Sequence, residues 1–113
     1  MVRLTVSLDA ASARSAQELI DAFQFLIPAT RLEVGCVGCR VYKSSAATVQ
    51  YTEEWTSEPA MRNRVCSPGF TMLLAIIESV DRPRVQFDFV TSTRGIDYLA
   101  EARNSNRNSG NGR

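Results

Sequence analysis

No stretch constrains the fold more than Thr48 to Leu74, TVQYTEEWTSEPAMRNRVCSPGFTMLL. From Thr48 to Trp55 the side chains alternate. Val49, Tyr51, Glu53 and Trp55 share one side and Gln50, Thr52 and Glu54 the other, the period of a strand. Ser57 is placed to cap a helix, with Pro59 in the first turn, where a missing N–H is tolerated. The spacing predicts a short helix to about Cys66. Ser67-Pro68-Gly69 then restarts the chain, with Ser67 as the next cap and Pro68 at the first helical position. Phe70, Leu73, Leu74 and Ile77 follow at helical spacing. The single Trp of the chain therefore closes a strand and faces two helix starts.

The rest of the chain reads in the same alphabet. Val2, Leu4, Val6 and Leu8 alternate with Arg3, Thr5 and Ser7, a strand with one polar face. A helix should start between Ser12 and Ser15, and Ser15 with Glu18 fits a capping box. Leu19, Ile20, Phe23, Leu26 and Ile27 form its apolar face, and Pro28 should end or kink it. Gly35-Cys36-Val37-Gly38 reads as a turn into a second strand, Cys39 to Lys43. Ser44 to Ala47 makes a hairpin loop into the Trp55 strand. After the helix pair, Asp81-Arg82-Pro83 is a loop. Val85, Phe87 and Phe89 then alternate with Arg84, Gln86 and Asp88 in a fourth strand. A turn at Thr91 to Gly95 leads into a short helix, Ile96 to Arg103.

The order strand, helix, strand, strand, helix, strand is the α+β ferredoxin-like βαββαβ pattern. It predicts a four-stranded antiparallel sheet with helices on one face and a C-terminal helix added. One domain, residues 1–103, is expected. The tail at 104–113 has no apolar residue and is expected to be disordered.

Charge and composition exclude several classes. The net charge is +1, and −1 once Arg107 and Arg113 of the tail are set aside, with no basic stripe on any element. A nucleic-acid or anionic-membrane surface is therefore not expected. The longest apolar run, Met72 to Ile77, is six residues, far short of a membrane span. The N-terminus lacks a signal-peptide pattern, so a cytoplasmic location is expected. Histidine is absent and there are three cysteines. The commonest acid–base residue and metal ligand is missing, and a disulfide framework is not expected.

Two constellations remain. Cys36-Val37-Gly38-Cys39 has redox spacing, but it opens a strand rather than a helix whose N-terminus would activate the first thiol. A structural zinc site wants four ligands, and only Cys66 is left to join these two. The plainer reading is a turn of small residues with Cys39 as a compact apolar side chain. Tyr51, Glu53 and Trp55 make the sharper group, a carboxylate between two large aromatics on the helix-facing side. A carboxylate out of water becomes a better proton acceptor near neutrality. Asn63 and Arg64, in the helix just after Trp55, are placed to supply a hydrogen bond or a positive charge. The plainer reading makes Trp55 core, pairs Glu53 with a nearby Arg and leaves Arg64 solvated.

Gly35-Cys36, the strand Arg40-Val41-Tyr42, Tyr51-x-Glu53-Glu54-Trp55, the punctuated helix pair ending Phe70-x-x-Leu73-Leu74, and Gly95-x-x-Tyr98 together resemble the antibiotic biosynthesis monooxygenase domain family, over about residues 2 to 103. The resemblance implies a homodimer that closes through the strands' polar face into an α/β barrel. It also implies oxygenation of quinols or polycyclic phenols with no metal, flavin or haem, in a pocket between sheet and helices. On that reading Glu53 is the catalytic base, Arg64 and Asn63 stabilise the oxyanion, and Trp55, Tyr51 and Phe70 hold a small aromatic ligand. Many relatives have a His where Arg64 stands here, and haem-degrading relatives bind iron through a His that this chain does not have. The competing expectation is a non-catalytic dimeric module that only binds a small ligand.

Overall fold

A computed structural model of the chain describes residues 1–90 and 99–104. Its elements are β1 (Val2–Asp9), α1 (Ala13–Arg31), β2 (Cys36–Lys43), β3 (Thr48–Trp55), α2 (Glu58–Val65), α3 (Pro68–Glu78) and β4 (Arg84–Phe89). The strands form one open antiparallel sheet in the order β2-β3-β1-β4, the ferredoxin-like arrangement that the alternation predicts. Of the terminal helix expected over Ile96–Arg103, the described part, residues 99–104, is helical. Its start, and all of the tail beyond residue 104, lie outside the described residues. No described helix is long and apolar enough to cross a membrane.

Register sets the core. Trp55 pairs with Val2, Glu53 with Leu4 and Tyr51 with Val6, so the alternation of β1 and β3 puts all six on the helix side. Each is at most 2% exposed. Helix α1 lies over β2 and β3, and its Phe23 ring stacks on Tyr51 with centroids 4.6 Å apart. Phe70, Leu73 and Ile77 of α3 complete the core.

The elements differ from the sequence reading in four places. The cap of α1 is Ser12, whose hydroxyl accepts from the Ser15 N–H at 3.1 Å; Ser15 is already inside the helix. Pro28 does not end α1, which runs on to Arg31. So close to the C-terminus, a proline removes one helical hydrogen bond and leaves the final turn intact. Strand β2 starts at Cys36 rather than Cys39, with an irregular register between Cys36 and Gly38. The extra residue, Val37, is a bulge, and Cys36 opposite Trp55 and Cys39 opposite Glu53 both face the helices. Ser67 stands at the N-cap of α3 as expected, but its hydroxyl makes no cap hydrogen bond and donates instead to the Arg64 carbonyl at 2.7 Å.

Among the described residues, α1, α2 and α3 leave the helix-side residues of β4 partly exposed. Val85, Phe87 and Phe89 pair with Val6, Leu4 and Val2 and so share their side, yet they are 46%, 39% and 59% exposed. On the other face of the sheet the polar residues pair among themselves. Arg3 lies 3.7 Å from Glu54, the Gln50 amide donates to Ser7 at 3.1 Å, Tyr42 donates to Gln50, and the Arg40 guanidinium lies over the Tyr42 ring.

Candidate functional site

Glu53 sits in the middle of β3, fully buried, and its carboxylate is the centre of a polar cluster inside an apolar core. The Trp55 indole N–H donates to Oε1 at 2.9 Å and the Tyr51 hydroxyl to Oε2 at 2.5 Å. Strand periodicity makes this contact: residues two before and two after share a face, and both happen to carry a donor. Arg64 reaches in from the last turn of α2. Its Nε donates to Oε1 at 3.1 Å and its Nη2 to Oε2 at 2.9 Å, a bidentate pair with its side chain 2% exposed. These four donors fill the lone-pair directions of the carboxylate.

Arg64 is shared. Nη2 also donates to the Thr30 hydroxyl at 3.2 Å, and Nη1 donates to Glu33 Oε2 at 2.8 Å. Thr30 passes its own proton to the Leu26 carbonyl one helical turn back, at 2.9 Å. Phe70 lies beneath the guanidinium at 5.5 Å. Gly69 makes room: a Cβ there would lie 3.3 Å from Arg64 Nη1. On the far side, the Cys39 thiol donates to the Tyr51 oxygen at 3.2 Å. No buried side-chain nitrogen or oxygen among the described residues lacks a partner.

The charges are fixed by these contacts. Burial works to lower the Arg64 pKa, but the hydrogen bonds and charge of Glu53, helped by Glu33, outweigh it and raise it, so the guanidinium stays charged. Burial first, and then the Glu53 charge, holds the Tyr51 phenol well above its ordinary range. Burial pushes the Cys39 thiol up to about 11, and it raises Cys36 as well. Tyr51 and Cys39 are therefore neutral donors at neutral pH. Cys66 is exposed at the end of α2 while Cys39 is buried in the core. Among the described residues no group of His, Cys, Asp and Glu is arranged to hold a metal ion.

Of the six residues singled out from the sequence, Tyr51, Glu53, Trp55, Arg64 and Phe70 come together in this cluster. Asn63 is exposed and outside it. It lines instead a surface cleft of about 550 Å³, which Trp55 and Arg64 also line. The other walls of the cleft are the Leu32–Gly35 loop and the start of α2 at Thr56, Ser57 and Ala60. Thr30 and Glu33 were not among the residues singled out, and Cys39, expected as a compact apolar side chain, joins the cluster as a thiol donor. A larger cleft, between α1 and α3 at the end of β1, holds none of the cluster.

The four-stranded antiparallel sheet with helices on one face places the chain in the α+β ferredoxin-like class, and solved structures share its fold. No family model matches the chain, and no curated protein matches it either. A protein of Deinococcus radiodurans assigned to the antibiotic biosynthesis monooxygenases is 24% identical, with a TM-score of 0.71 over 84% of this chain and 97% of that one. SnoaB of Streptomyces nogalater, a cofactor-independent oxygenase, is 15% identical, with a TM-score of 0.67 over 81% of this chain and 94% of that one. A conserved protein of Methanosarcina mazei is 20% identical, with a TM-score of 0.66 over 77% and 89%. The chain has the fold of the antibiotic biosynthesis monooxygenases.

Proposed function

We propose that the chain is a monooxygenase that needs no metal or organic cofactor and acts on a small quinol-like aromatic. The observation that carries this reading is the cleft in which the Trp55 ring, the Asn63 amide and the Arg64 guanidinium meet, with Glu53 directly behind Arg64. A quinol anion needs a flat apolar surface, donors for its oxygen and exclusion of water, and Trp55, Arg64 and Asn63 line the cleft to supply the first two. Trp55 stacks on the ring, Arg64 and Asn63 hold the oxyanion, Phe70 supports the guanidinium and Tyr51 supports the base. Glu53 takes the phenolic proton. O₂ then places one oxygen atom on the ring and the other in water, the quinol supplying all four electrons and leaving as a hydroxyquinone. The cofactor-independent oxygenase of the same fold supports the reading.

A second reading, a module that binds such a ring without turning it over, is favoured by one observation. All the lone-pair directions of Glu53 are occupied, so it accepts a proton only after one donor withdraws. Oxygen consumption with a panel of hydroquinones and anthrones, in chelator-treated buffer, separates the two. Uptake well above that of Glu53→Gln is expected of the enzyme; uptake equal to that control leaves the binding module.

The polar sheet face is the proposed seat of a homodimer. Arg3, Glu54, Arg40 and Tyr42 offer charges and a ring that a two-fold axis can pair with themselves. Such an interface should bury more than roughly 1,000 Å². A monomer in light scattering at micromolar concentration, or an Arg40→Glu variant that dimerises unchanged, would sink this part.

A further inference from the structure

The loop joining α1 to β2, Leu32–Gly35, carries two aliphatic side chains that nothing covers: Leu32 is 86% and Val34 96% exposed. It forms one wall of the cleft, α2 with Asn63 and Arg64 the other, and the edge of Trp55 lies between them. Turn hydrogen bonds hold the ends of the loop, from the Leu32 N–H to Ala29, the Glu33 N–H to Thr30 and the Cys36 N–H to Glu33, and two further links tie it across to the start and the end of α2. One is the Thr56 N–H donating to the Gly35 carbonyl at 2.9 Å, and the other is the Glu33–Arg64 ion pair at 2.8 Å. At Gly35 the backbone has φ +90° and presses on α2 so closely that a Cβ would lie 2.7 Å from that of Ala60. Gly35 thus packs on the start of α2, while the side-chain bond joining the loop to the end of α2 is Glu33–Arg64, with the Glu33 side chain 34% exposed and its partner 2% exposed.

We infer that Leu32–Gly35 is a gate over the Glu53–Arg64 pair, and that Glu33 is both its latch and the residue that positions Arg64. With the gate closed, Arg64 is divided between two carboxylates and Glu53 is sealed. With the gate open, Nη1 loses Glu33 and turns to the anionic ring oxygen of an entering ligand, which takes the place of that carboxylate. Leu32 and Val34 then have an apolar ring to cover. The inference rests on the reading of the cleft as a ligand entrance, but opening is measurable without turnover, so either can fail alone.

Trp55 is the only Trp and is 1% exposed, so its fluorescence reports the opening of the cleft directly. The experiment is acrylamide quenching of wild type, Glu33→Gln and Glu58→Gln, the last breaking the exposed pair with Arg62 on the same helix. Glu33→Gln removes the negative charge and keeps only a neutral acceptor, which should raise the open fraction several-fold, and the quenching constant with it. The expected result is a constant several-fold above wild type in Glu33→Gln and unchanged in Glu58→Gln. A Glu33→Gln constant equal to wild type, or to a raised Glu58→Gln value, overturns the gate. Should Glu33→Gln not fold, hydrogen exchange of the wild-type Thr56 amide decides. Exchange insensitive to low denaturant is opening of the gate, and exchange that follows global unfolding overturns it.

Discussion

Replacing Arg64 with Met would remove the charge and keep much of the buried stem. Glu53 would remain at 0% exposure without the two hydrogen bonds and the positive charge that the guanidinium supplies. Breaking a buried pair from one side costs about 3–5 kcal/mol, because the other charge is left uncompensated. Tyr51 and Trp55 still donate to the carboxylate, which places the expected loss at the low end, about 3 kcal/mol. In a domain of this size that is roughly 12 °C in Tm. The assay is urea unfolding followed by Trp55 fluorescence at one fixed protein concentration, since association would shift the midpoint. Glu53→Gln together with Arg64→Met removes both charges and should be less destabilised than the sum of the single variants by about 1.5 kcal/mol or more. A single Arg64→Met variant within about 1 kcal/mol of wild type would refute the account of the cluster. So would strict additivity of the two substitutions.

Three further outcomes follow from local geometry. Gly35→Ala, at φ +90° and facing the Ala60 Cβ at 2.7 Å, should lower stability by about 1–3 kcal/mol in the same unfolding assay. Asp9 is held at about 2, below its ordinary 3.8, chiefly by hydrogen bonds from Arg84 and then Thr48. Its folded pKa lies below the unfolded one, so its contribution is present above about pH 4 and fades as pH falls toward 2. Asp9→Asn should accordingly flatten the stability profile across that window. At pH 8 a thiol reagent should label the exposed Cys66 at once and leave Cys39, whose thiol is pushed up to about 11, unlabelled until the protein unfolds. Equal labelling of the two would contradict the buried thiol.

Strand periodicity made most of the fold legible, because in β1 and β3 every inward residue is apolar or meets a partner. The same alternation placed Tyr51, Glu53 and Trp55 together; of the plainer reading, the pairing of Glu53 with an Arg holds and the solvation of Arg64 does not, since Arg64 is that partner and is buried. Thr30 and Glu33 escaped because Pro28 was expected to stop or bend α1. Only when the helix continues to Arg31 does Thr30 fall one turn beyond Leu26, on the face beneath Arg64. Glu33, in the loop beyond, follows from the same extension. The alternation already turned Cys39 inward, but its partnership with Tyr51 escaped because a thiol reads as a compact apolar side chain rather than as a donor; the bulge at Val37 alters only the register of Cys36. The exposure of Val85, Phe87 and Phe89 depends on how far the helices extend sideways over the sheet, which no strand pattern encodes.

Among the described residues, each of the two outer strands of the open sheet has one edge with no strand beside it, and the two edges are unequally regular. β2 enters the sheet through its bulge at Val37 and displays Arg40 and Lys43, so a strand arriving from another molecule meets a bent start and repelling or strongly hydrated charges. β4 pairs with β1 without a break, from Arg84 to Val2, and carries an apolar strip of Val85, Phe87 and Phe89 along one side. A regular template beside an apolar strip is what cross-chain strand addition needs. Any strand addition in concentrated preparations is therefore expected at β4, and a charge in place of Phe87 should suppress it while leaving the β2 edge untouched.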